Sequence, residues 1–544
     1  MQTMLLSSLA KVFPDEKPQN IQINNFSMLK NECKSFQLAF CADEDKEINI
    51  TINSSLKKAI NTYRVGLVPS KLAKDSGADD FFLRDGRPGL YPDILYPVEG
   101  GKVSAQKGQW QSLWFEIVLD DEFEAGNYDI EIALDGIKSS VSLEIIDLNL
   151  PEQDLMCTFW YHTDSLMSWY GFEAFSEEYW QTVENYAVVA VKHGINMLLT
   201  PLFTPPLDTE VGKERPTVQL VDVEKNGDSY TFGFEKLERW IEMCNRIGIK
   251  YFEMSHLFTQ WGAKHAPKIM ATVNGEYKRI FGWETKASGK EYKAFLTQFA
   301  KALISFIDEK GIRGRCVFHT SDEPGRNHYR PYKKAARLIH SLFNGFKTID
   351  ALSDFKFYKK GLVKTPVPAN DHMGPFIGNV PELWTYYCCV QRNNYVSNRF
   401  LAMPSQRNRI IGWQMYKYDV KGFLHWGYNF WFTQFAKRAV NPFEETDAGG
   451  KFSSGDSFVV YPGEDKQPIV SLALKVFYDA VQDMTALQLL ESKIGRDNVI
   501  GIIENNTKKP ISFTEYPHEE GWMLNKREEI NKELQKIIAV QHYS

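Results

Sequence analysis

Residues 176–203, SEEYWQTVENYAVVAVKHGINMLLTPLF, contain the pattern that decides the fold. Between Trp180 and Val191 apolar residues recur at helical spacing, which is typical of an amphipathic helix. Gly194 follows as the kind of residue that ends a helix, and the apolar run 195–203 then predicts a buried strand. Helix, glycine and strand in this order predict one unit of an α/β fold.

The same unit recurs along the rest of the chain. Further strands are predicted at 156–164, 249–257, 312–324, 346–355, 382–389, 409–416 and 422–431. Strands that alternate with helices indicate parallel β/α units, and about eight of them favour a TIM-like (β/α)8 barrel. We predict this barrel over residues 153–492, with a polar insertion near 441–466. A doubly wound nucleotide-binding sheet is disfavoured, because no GxGxxG or P-loop follows a strand.

The first part of the chain has a different period. In EINITIN (47–53) the isoleucines alternate with polar residues, and the same alternation recurs at 113–119, 130–134 and 141–145. Alternation with short turns between the runs is typical of antiparallel strands. We therefore predict an antiparallel β-sandwich over residues 1–152 ahead of the barrel. Residues 493–544 are predicted to form a helical or strand extension that packs as a cap.

Composition excludes several classes of protein. Apolar residues make up 43% of the 544-residue chain and charged residues 24%, so disorder is excluded as the main state. The net charge of −6 argues against a nucleic-acid partner, whose binding requires cations that neutralise phosphates. No apolar run has the roughly 18 residues of a membrane helix. We expect a neutral or polar partner and no membrane association.

Cysteine usage and the N-terminal segment bear on the compartment. The 7 cysteines are an odd number without a CxxC pair, which is not the pattern of a disulfide framework. The segment MQTMLLSSLAKVFPDEKP lacks the basic and long apolar regions of a signal peptide. Cytoplasmic residence is the default prediction, and a leader upstream of this sequence would make the protein secreted or periplasmic.

The carboxyl ends of the predicted strands carry aromatic residues, histidines and carboxylates. Barrel enzymes work at these ends, and aromatic walls with polar groups suit sugar rings. About half of these aromatic residues could instead be plain core. The candidate substrate-binding residues are His162, Asp164, His256, Trp261, His319, Trp384, Tyr386, Tyr387, Trp413, Trp426, Tyr428 and Asn429.

The sharpest candidate is Asp322-Glu323-Pro324, at the end of the fourth predicted strand. Neighbouring strand residues face opposite sides, so both carboxylates reach one pocket only if the strand ends and twists there. Pro324 should bias Glu323 towards an extended conformation. Two carboxylates this close push their pKa values apart, which yields one acid and one base. The alternative is a loop pair that caps the helix beginning near Pro331.

No cofactor or metal is predicted. His162, His256 and His319 lie at strand ends, but the sequence has no HExxH and no Cys/His pair at ligand spacing. The neighbours Cys388 and Cys389 are predicted to be two strand residues, one in the core and one facing a helix, without a redox role.

A set of short segments, in this order along the chain, resembles glycoside hydrolase family 123 and its large family of relatives long labelled a domain of unknown function. The likeness runs from about residue 60 to about residue 490. The segments are YRVGLVPS (63–70), GLYPDILYP (89–97), HLFTQWGA (256–263), HTSDEP (319–324), ELWTYYCCVQ (382–391), NRF (398–400), GFLHWGYNFW (422–431) and GDSFVVYPG (455–463).

The resemblance implies a β-sandwich followed by a (β/α)8 barrel, acting as an exo-β-N-acetylgalactosaminidase on a glycan with a terminal N-acetylhexosamine. It places the catalytic pair on Asp322 and Glu323. The family retains configuration because the 2-acetamido oxygen of the substrate attacks the anomeric carbon and forms an oxazoline. Asp322 would orient the amide and Glu323 would be the general acid and base. This sequence has His319-Thr320-Ser321 before the pair, where relatives often carry glycine.

Strand position suggests further roles under this mechanism, and two rival functions remain. Tyr386 or Tyr387 would donate to the acetamido oxygen, and Trp384, Trp413 or Trp426 would enclose its methyl group. One rival is a glycosidase of the same architecture with another sugar specificity. The other is a glycan-binding protein without catalysis, against which the two carboxylates argue.

Overall fold

The computed structural model describes residues 1–119 and 123–542, which begin with two five-stranded β-sheets. The first sheet contains, in spatial order, β1 (Gln2–Ser7), β3 (Cys33–Cys41), β8 (Trp110–Val118), β5 (Ile60–Ser70) and β6 (Gly89–Pro97). The second contains β2 (Asn25–Lys30), β10 (Ile137–Asn149), β9 (Gly126–Leu134), β4 (Lys46–Asn53) and β7 (Lys102–Ala105). Neighbouring strands are antiparallel except β2 and β10, which are parallel.

The two sheets pack face to face, as the alternating sequences predict. Ile48 of β4 and Ile132 of β9 are buried against Leu113 and Phe115 of β8 in one apolar cluster. The first sheet is also buried on its other face, where Trp114 belongs to the large cluster that includes the barrel helices. This sheet is therefore a middle layer between the second sheet and the barrel, which explains the nearly continuous burial of β8.

Eight parallel strands then form a barrel. In chain order they are β11 (Met156–Phe159), β12 (Met197–Thr200), β15 (Tyr251–Met254), β18 (Cys316–Phe318), β19 (Lys347–Ala351), β20 (Thr365–Val367), β21 (Leu383–Tyr386) and β22 (Val420–His425). Seven of the eight neighbouring pairs form regular ladders. Between β20 and β21 a single bridge closes the circle, where the Tyr386 N–H donates to the Pro368 oxygen at 3.2 Å. The predicted sandwich and barrel are confirmed.

Helices surround the barrel and two hairpins extend from it. The helices are α1 (Thr163–Tyr170), α2 (Glu177–Lys192), α3 (Glu235–Ile247), α4 (Lys290–Glu309), α5 (Tyr329–Leu342), α6 (Phe355–Lys359), α7 (Ser405–Lys417) and α8 (Leu472–Ile494). Strands β13 (Asp222–Asn226), β14 (Ser229–Gly233), β16 (Ile269–Val273) and β17 (Glu276–Phe281) form a separate sheet. Gly194 and Gly248 end α2 and α3 with φ of 78° and 93°, as the helix–glycine–strand pattern predicts.

One predicted strand is wrong, and one strand of the barrel was not predicted. Residues 409–416 lie in α7 and are buried, because a helix enclosed on all sides has the same continuous apolar sequence as a buried strand. The sixth barrel strand is β20 instead, which the sequence conceals because it has three residues and contains Pro366.

The remaining segments are mostly helical. Within the polar insertion and just after it, β23 (Val460–Pro462) and β24 (Pro468–Val470) form a short hairpin. Beyond α8 the chain forms α9 (Arg496–Glu504) and α10 (Glu520–His542), and α10 packs on α8 and on the second sheet. In the described ranges, no helix is long and apolar enough to span a bilayer.

The close approach of α7 and α8 yields a stability prediction. A Cβ at Gly412 would lie 1.9 Å from the backbone oxygen of Ala480, which a side-chain movement cannot relieve. We expect Gly412→Ala to lower the free energy of unfolding by about 1–3 kcal/mol, the usual cost of overpacking, in urea denaturation. Gly501 in α9 is the matched control, because its Cβ would meet nothing within 4 Å. Gly501→Ala should be neutral or stabilising, and equal losses in both variants would contradict the packing argument.

Candidate active site

A cavity of about 200 Å³ opens at the carboxyl ends of the barrel strands. This is the position at which barrel enzymes place their active sites. Its lining residues are Trp160, His162, Leu207, Asp208, Gln260, Trp261, Asp322, Glu323, Ala351, Tyr386, Cys388, Cys389, Leu424, Trp426, Gln434 and Phe452. Apolar and aromatic side chains predominate, and the carboxylates lie among them.

Asp322 and Glu323 both reach this cavity because the strand ends before them. Strand β18 stops at Phe318, and Glu323 has φ of 40°, in the left-handed region that residues other than glycine rarely adopt. The expectation that Pro324 would hold Glu323 extended is therefore wrong. The left-handed turn breaks the alternation that would have directed the two carboxylates to opposite faces. Strained backbone of this kind persists where its surroundings fix it.

Hydrogen bonds from the neighbouring loops fix this turn. The N–H groups of Thr320 and Ser321 donate to Oδ1 of Asp350 at 2.8 and 3.1 Å. The Glu323 N–H donates to the Ala351 oxygen at 3.1 Å, and the Asp322 oxygen accepts from Trp261 at 2.8 Å. Both flanking strand ends thus hold the segment that carries the acid pair.

His319 lies beneath the pair between two buried carboxylates. Its Nε2 is 2.6 Å from Oε1 of Glu253, and its Nδ1 is 3.6 Å from Oδ1 of Asp350. Burial lowers the pKa of His319, but Asp350 and Glu253 outweigh burial and raise the pKa to about 9. His319 is therefore an imidazolium at neutral pH. His256 stacks on it at 4.2 Å between ring centroids, and burial, followed by the charge of His319, lowers the His256 pKa.

The pKa values of both members of the acid pair are raised. Burial raises the pKa of Asp322 well above its usual value, and the charge of Glu323 adds to this, while His319 opposes it. Burial also raises the pKa of Glu323. The hydroxyl of Tyr386, which donates to Oε1 of Glu323 at 2.5 Å, lowers this pKa but does not outweigh burial. Burial of both groups and the charge of Glu323 beside Asp322 therefore both oppose simultaneous ionisation of the pair.

The two carboxyl groups differ in their partners. Glu323 accepts the Tyr386 hydroxyl, whereas no donor among the described residues lies within hydrogen-bond distance of the Asp322 carboxylate. Asp322 therefore presents free acceptor atoms to the cavity. The helix-capping alternative is not supported, since α5 begins at Tyr329 with His328 at its N-cap and no side-chain cap.

Three tryptophans form the aromatic wall. Trp160 donates its indole N–H to Glu253 at 2.8 Å, and Trp426 donates to Oδ2 of Asp456 at 2.9 Å. Trp261 sits on the loop after β15 with φ of 54°. Phe452 packs edge-on against Trp426 at 5.3 Å, so the polar insertion contributes to the wall of the cavity.

Eight of the twelve predicted substrate-binding residues do not line the cavity, and four of these eight are aromatic. Trp384 is one layer below Tyr386 in the barrel interior, with its indole N–H on Glu382. Tyr387 is on the opposite face of the chain and bonds Asn408, while Tyr428 bonds the Tyr186 oxygen. Trp413 lies in α7 and donates to Asp483 of α8 at 3.0 Å. Strand alternation accounts for Tyr387, depth in the barrel interior accounts for Trp384, and the wrong strand assignment accounts for Trp413.

The other predicted polar residues support the cavity. His162 lines it, and Arg215 donates to its Nδ1 at 3.1 Å, so the proton is on Nε2, which donates to the Trp426 oxygen at 2.9 Å. Asn429 holds the backbone of His162 through both amide atoms. Asp164 makes a bidentate ion pair with Arg215, which also bonds the Leu207 oxygen.

Several cavity residues escaped the sequence analysis. Asp208 is a third carboxylate in the cavity, and burial raises its pKa to about 6. The Phe435 N–H and the charge of Arg215 lower this pKa but do not outweigh burial. Cys388 and Cys389 both line the cavity beyond the end of β21, so the prediction that one faces a helix is wrong. Gln260, Gln434 and Phe452 come from loops that no periodicity marks. Of the residues in 1–119 and 123–542, no three His, Cys, Asp or Glu side chains are grouped to hold a metal ion.

Comparison with known proteins identifies the family. The family model "Glycoside hydrolase 123, catalytic domain" matches residues 160–490. A solved family 123 glycoside hydrolase from Clostridium perfringens, described as hydrolysing glycolipid glycans, superposes with a TM-score of 0.76 at 15% identity, over 99% of this chain and 100% of that chain. A putative alpha-galactosidase from Bacteroides fragilis matches at a TM-score of 0.29 and 8% identity, over 85% and 79% of the chains, which is too distant to inform the fold. No curated protein matches.

A parallel barrel with carboxylates and an aromatic wall at its strand ends is an arrangement that suits glycoside hydrolysis. The family model covers more than half of the chain. This chain therefore belongs to glycoside hydrolase family 123, and it is a glycoside hydrolase whose substrate is a glycan.

The buried position of His319 yields a second prediction. His319→Leu leaves Glu253 and Asp350 without their cation, and removing one partner of a buried ion pair costs about 3–5 kcal/mol of unfolding free energy. Because the pKa of His319 is raised to about 9, its contribution is complete below its ordinary pKa and is lost as the pH rises through about 9. Urea denaturation from about pH 6 to about pH 10 should show the wild type converging on the variant.

His340 supplies the matched control for this experiment. It is a half-buried histidine of α5 whose pKa is lowered by burial and then by Lys364, so it contributes no cation at neutral pH. His340→Leu should change stability little and without this pH dependence. A His319→Leu defect that is constant up to about pH 10 would contradict the imidazolium.

Proposed function

We propose that the protein is an exo-acting β-N-acetylgalactosaminidase that retains configuration by substrate-assisted catalysis. The observation that carries the proposal is the adjacent pair Asp322 and Glu323 in one cavity, with Asp322 free to accept and Glu323 held by Tyr386. An enzyme that uses the 2-acetamido group as nucleophile needs one group to orient that amide and one to exchange a proton. This pair supplies both at adjacent positions.

The proton in the pair has to be on Glu323 when the reaction begins. In the empty site burial raises the pKa of Asp322 well above its usual value. An acetamido N–H that donates to Asp322 would stabilise the ionised carboxylate and lower its pKa. The shared proton then remains on Glu323, which gives it to the leaving oxygen and later removes one from water. The His319 imidazolium favours the same arrangement, because it stabilises negative charge on Asp322.

The remaining cavity residues suit an N-acetylated sugar. Tyr386 can move its hydroxyl hydrogen bond from Glu323 to the acetamido oxygen, and Trp426 or Trp160 can cover the methyl group with an apolar ring face. Tyr387, Trp384 and Trp413 are withdrawn from these roles, because their side chains lie outside the cavity.

Asp208 supports a rival mechanism. It is a carboxylate in the same cavity, and a conventional retaining glycosidase uses a second carboxylate as nucleophile. Its Oδ2 accepts the Phe435 N–H at 2.9 Å, and its own N–H donates to Gln260 at 2.6 Å, so it also anchors two loops of the cavity wall. Anchoring these loops is sufficient to explain the contacts of Asp208, so they do not require Asp208 to be a nucleophile.

Stereochemistry tests the proposed function. An aryl β-N-acetylgalactosaminide should be hydrolysed with the β-anomer as first product, observed by NMR before mutarotation. A thiazoline analogue should inhibit far better than free N-acetylgalactosamine, because it resembles the oxazoline state. The aryl β-galactoside, which lacks the acetamido group, is the matched control and should not be cleaved. Inversion, or equal cleavage of both glycosides, would overturn the proposal.

A leaving-group series separates the roles of the acids. Glu323→Gln removes proton donation, so substrates with poor leaving groups should lose about 10²–10⁴-fold in kcat/KM, and activated aryl substrates less. Asp322→Asn removes the charge that stabilises the oxazolinium-like state, so it should lose about 10²–10³-fold with every leaving group. Steady-state kinetics of the wild type and of both variants gives the dependence of kcat/KM on the leaving-group pKa for each protein.

Asp208→Asn is the control variant for this series. If Asp208 only anchors the wall, azide should restore no activity to Asp208→Asn and no glycosyl azide should form. Azide rescue of Asp208→Asn would make Asp208 the nucleophile and contradict substrate assistance. If Asp322→Asn instead keeps its activity on substrates with good leaving groups, the roles of Asp322 and Glu323 are exchanged.

A further inference from the structure

A second, larger cavity of about 710 Å³ lies between α4 and α5 on the outside of the barrel. Five cations line it, and none of its lining residues is acidic. The cations are Lys264, Lys293, Arg330, Lys334 and Arg337. This accumulation stands out in a chain whose net charge is −6. We refer to the cavity as the basic cleft.

The cations of the basic cleft have no counter-charges. Within residues 1–119 and 123–542, none of the five forms an ion pair or a side-chain hydrogen bond with another protein group. Glu291, the acid nearest in sequence to Lys293, pairs instead with Lys225 at 2.8 Å. In another groove of this protein the cations are paired with acidic side chains. Between α2 and α3, Arg239 and Arg246 each make bidentate pairs with a glutamate.

The arrangement of cations on α5 costs helix stability. Arg330, Lys334 and Arg337 are spaced four and three residues apart, so they share one face, and like charges at this spacing destabilise a helix. The helix has no acidic residue in its first turn, where negative charge would be favourable. An anionic ligand in the cleft would relieve this repulsion.

The basic cleft begins at the rim of the catalytic cavity. Ala263 and Lys264 in its wall follow Trp261, which lines the catalytic cavity and donates its N–H to the Asp322 oxygen at 2.8 Å. Gly262 packs so closely on His328 that a Cβ would lie 2.5 Å from that side chain, which joins this loop to the start of α5. The helix rise of 1.5 Å per residue carries the cleft about 16 Å along α5 from Arg330 to Ser341.

We propose that the basic cleft binds the carboxylate or sulfate groups of an acidic oligosaccharide whose terminal sugar occupies the catalytic cavity. The substrate class is therefore an anionic glycan. Arginine forks and lysine ammonium groups bind such anions, and Ser288, Thr297 and Ser341 add hydroxyl groups for sugar hydroxyls. A narrow groove between two helices fits a single glycan chain better than a duplex or a bilayer surface. The assignment of the terminal sugar rests on the proposed function, and binding in the cleft does not.

Fluorescence anisotropy with two labelled probes tests the proposal. The probes are a sulfated galactosaminoglycan hexasaccharide and the same hexasaccharide after desulfation and carboxyl reduction. Wild-type protein should bind the sulfated probe at least about tenfold more tightly, and added salt should reduce this preference. Lys334→Glu/Arg337→Glu should weaken binding of the sulfated probe by about tenfold or more and leave the neutral probe nearly unchanged.

The control variant is Lys57→Glu/Lys58→Glu, which makes the same change in net charge at two exposed positions of the short 3-10 helix between β4 and β5. It should bind both probes like the wild type and hydrolyse the aryl glycoside at the wild-type rate. Equal affinity of the wild type for both probes, or equal losses in the two charge-reversal variants, would overturn the proposal. Tighter binding to duplex DNA or to vesicles of anionic lipid than to the sulfated probe would also overturn it.

The same measurements keep this inference separate from the proposed function. Anisotropy needs no turnover, so charge-dependent binding without hydrolysis of the aryl N-acetylgalactosaminide would sustain the basic cleft and reject the proposed specificity. Hydrolysis of the aryl substrate without preference for the sulfated probe would support the proposed function and reject anion binding in the basic cleft.

Discussion

The buried cation of His319, held between Glu253 and Asp350, organises the site. Glu253 also accepts from Thr158 and Trp160, and Asp350 accepts the N–H groups that precede the acid pair. Hydrogen bonds to these two carboxylates, together with the ion pairs of His319, therefore connect the ends of β11, β15, β18 and β19 into one floor. Such a charged floor is stable only because each carboxylate has its donors, since an unpaired buried charge would cost several kcal/mol.

The same floor accounts for the sequence that precedes the acid pair. His319 supplies the cation, Thr320 donates its backbone N–H, and Ser321 donates its hydroxyl to the Thr259 oxygen at 3.0 Å. These contacts hold the left-handed turn at Glu323 that directs both carboxylates into the cavity. Glycine at these positions would keep the backbone hydrogen bonds and lose the side-chain contacts of His319 and Ser321. The fold, by contrast, depends on the sandwich and barrel cores and tolerates the difference.

Two sites of opposite charge lie near the rim of the barrel, the carboxylate-lined cavity and the basic cleft. In the cavity, burial raises the pKa of Asp208, Asp322 and Glu323. In the basic cleft, Arg330, Lys334 and Arg337 of α5 are exposed and have no ion-pair partner among residues 1–119 and 123–542. Carboxylates that must hold a proton need a buried, negatively charged cavity, whereas recognition of an anionic chain needs accessible cations. The loop from Trp261 to Lys264 separates the two and belongs to both.

Sequence periodicity by itself determined the element types, and the residues at strand ends suggested the site. The alternation in β4, β9 and β10 and the helix–glycine–strand units require only local spacing, and they predicted the sandwich and barrel. Adjacent Asp322 and Glu323, with Trp261, Tyr386 and Trp426, were also found in this way. Tertiary structure alone decided which layer Trp384 occupies, that 409–416 is a helix, and that Asp208 and Phe452 join the cavity. Periodicity reports which face of an element is buried but not what covers it, because loops distant in sequence meet only when the barrel closes.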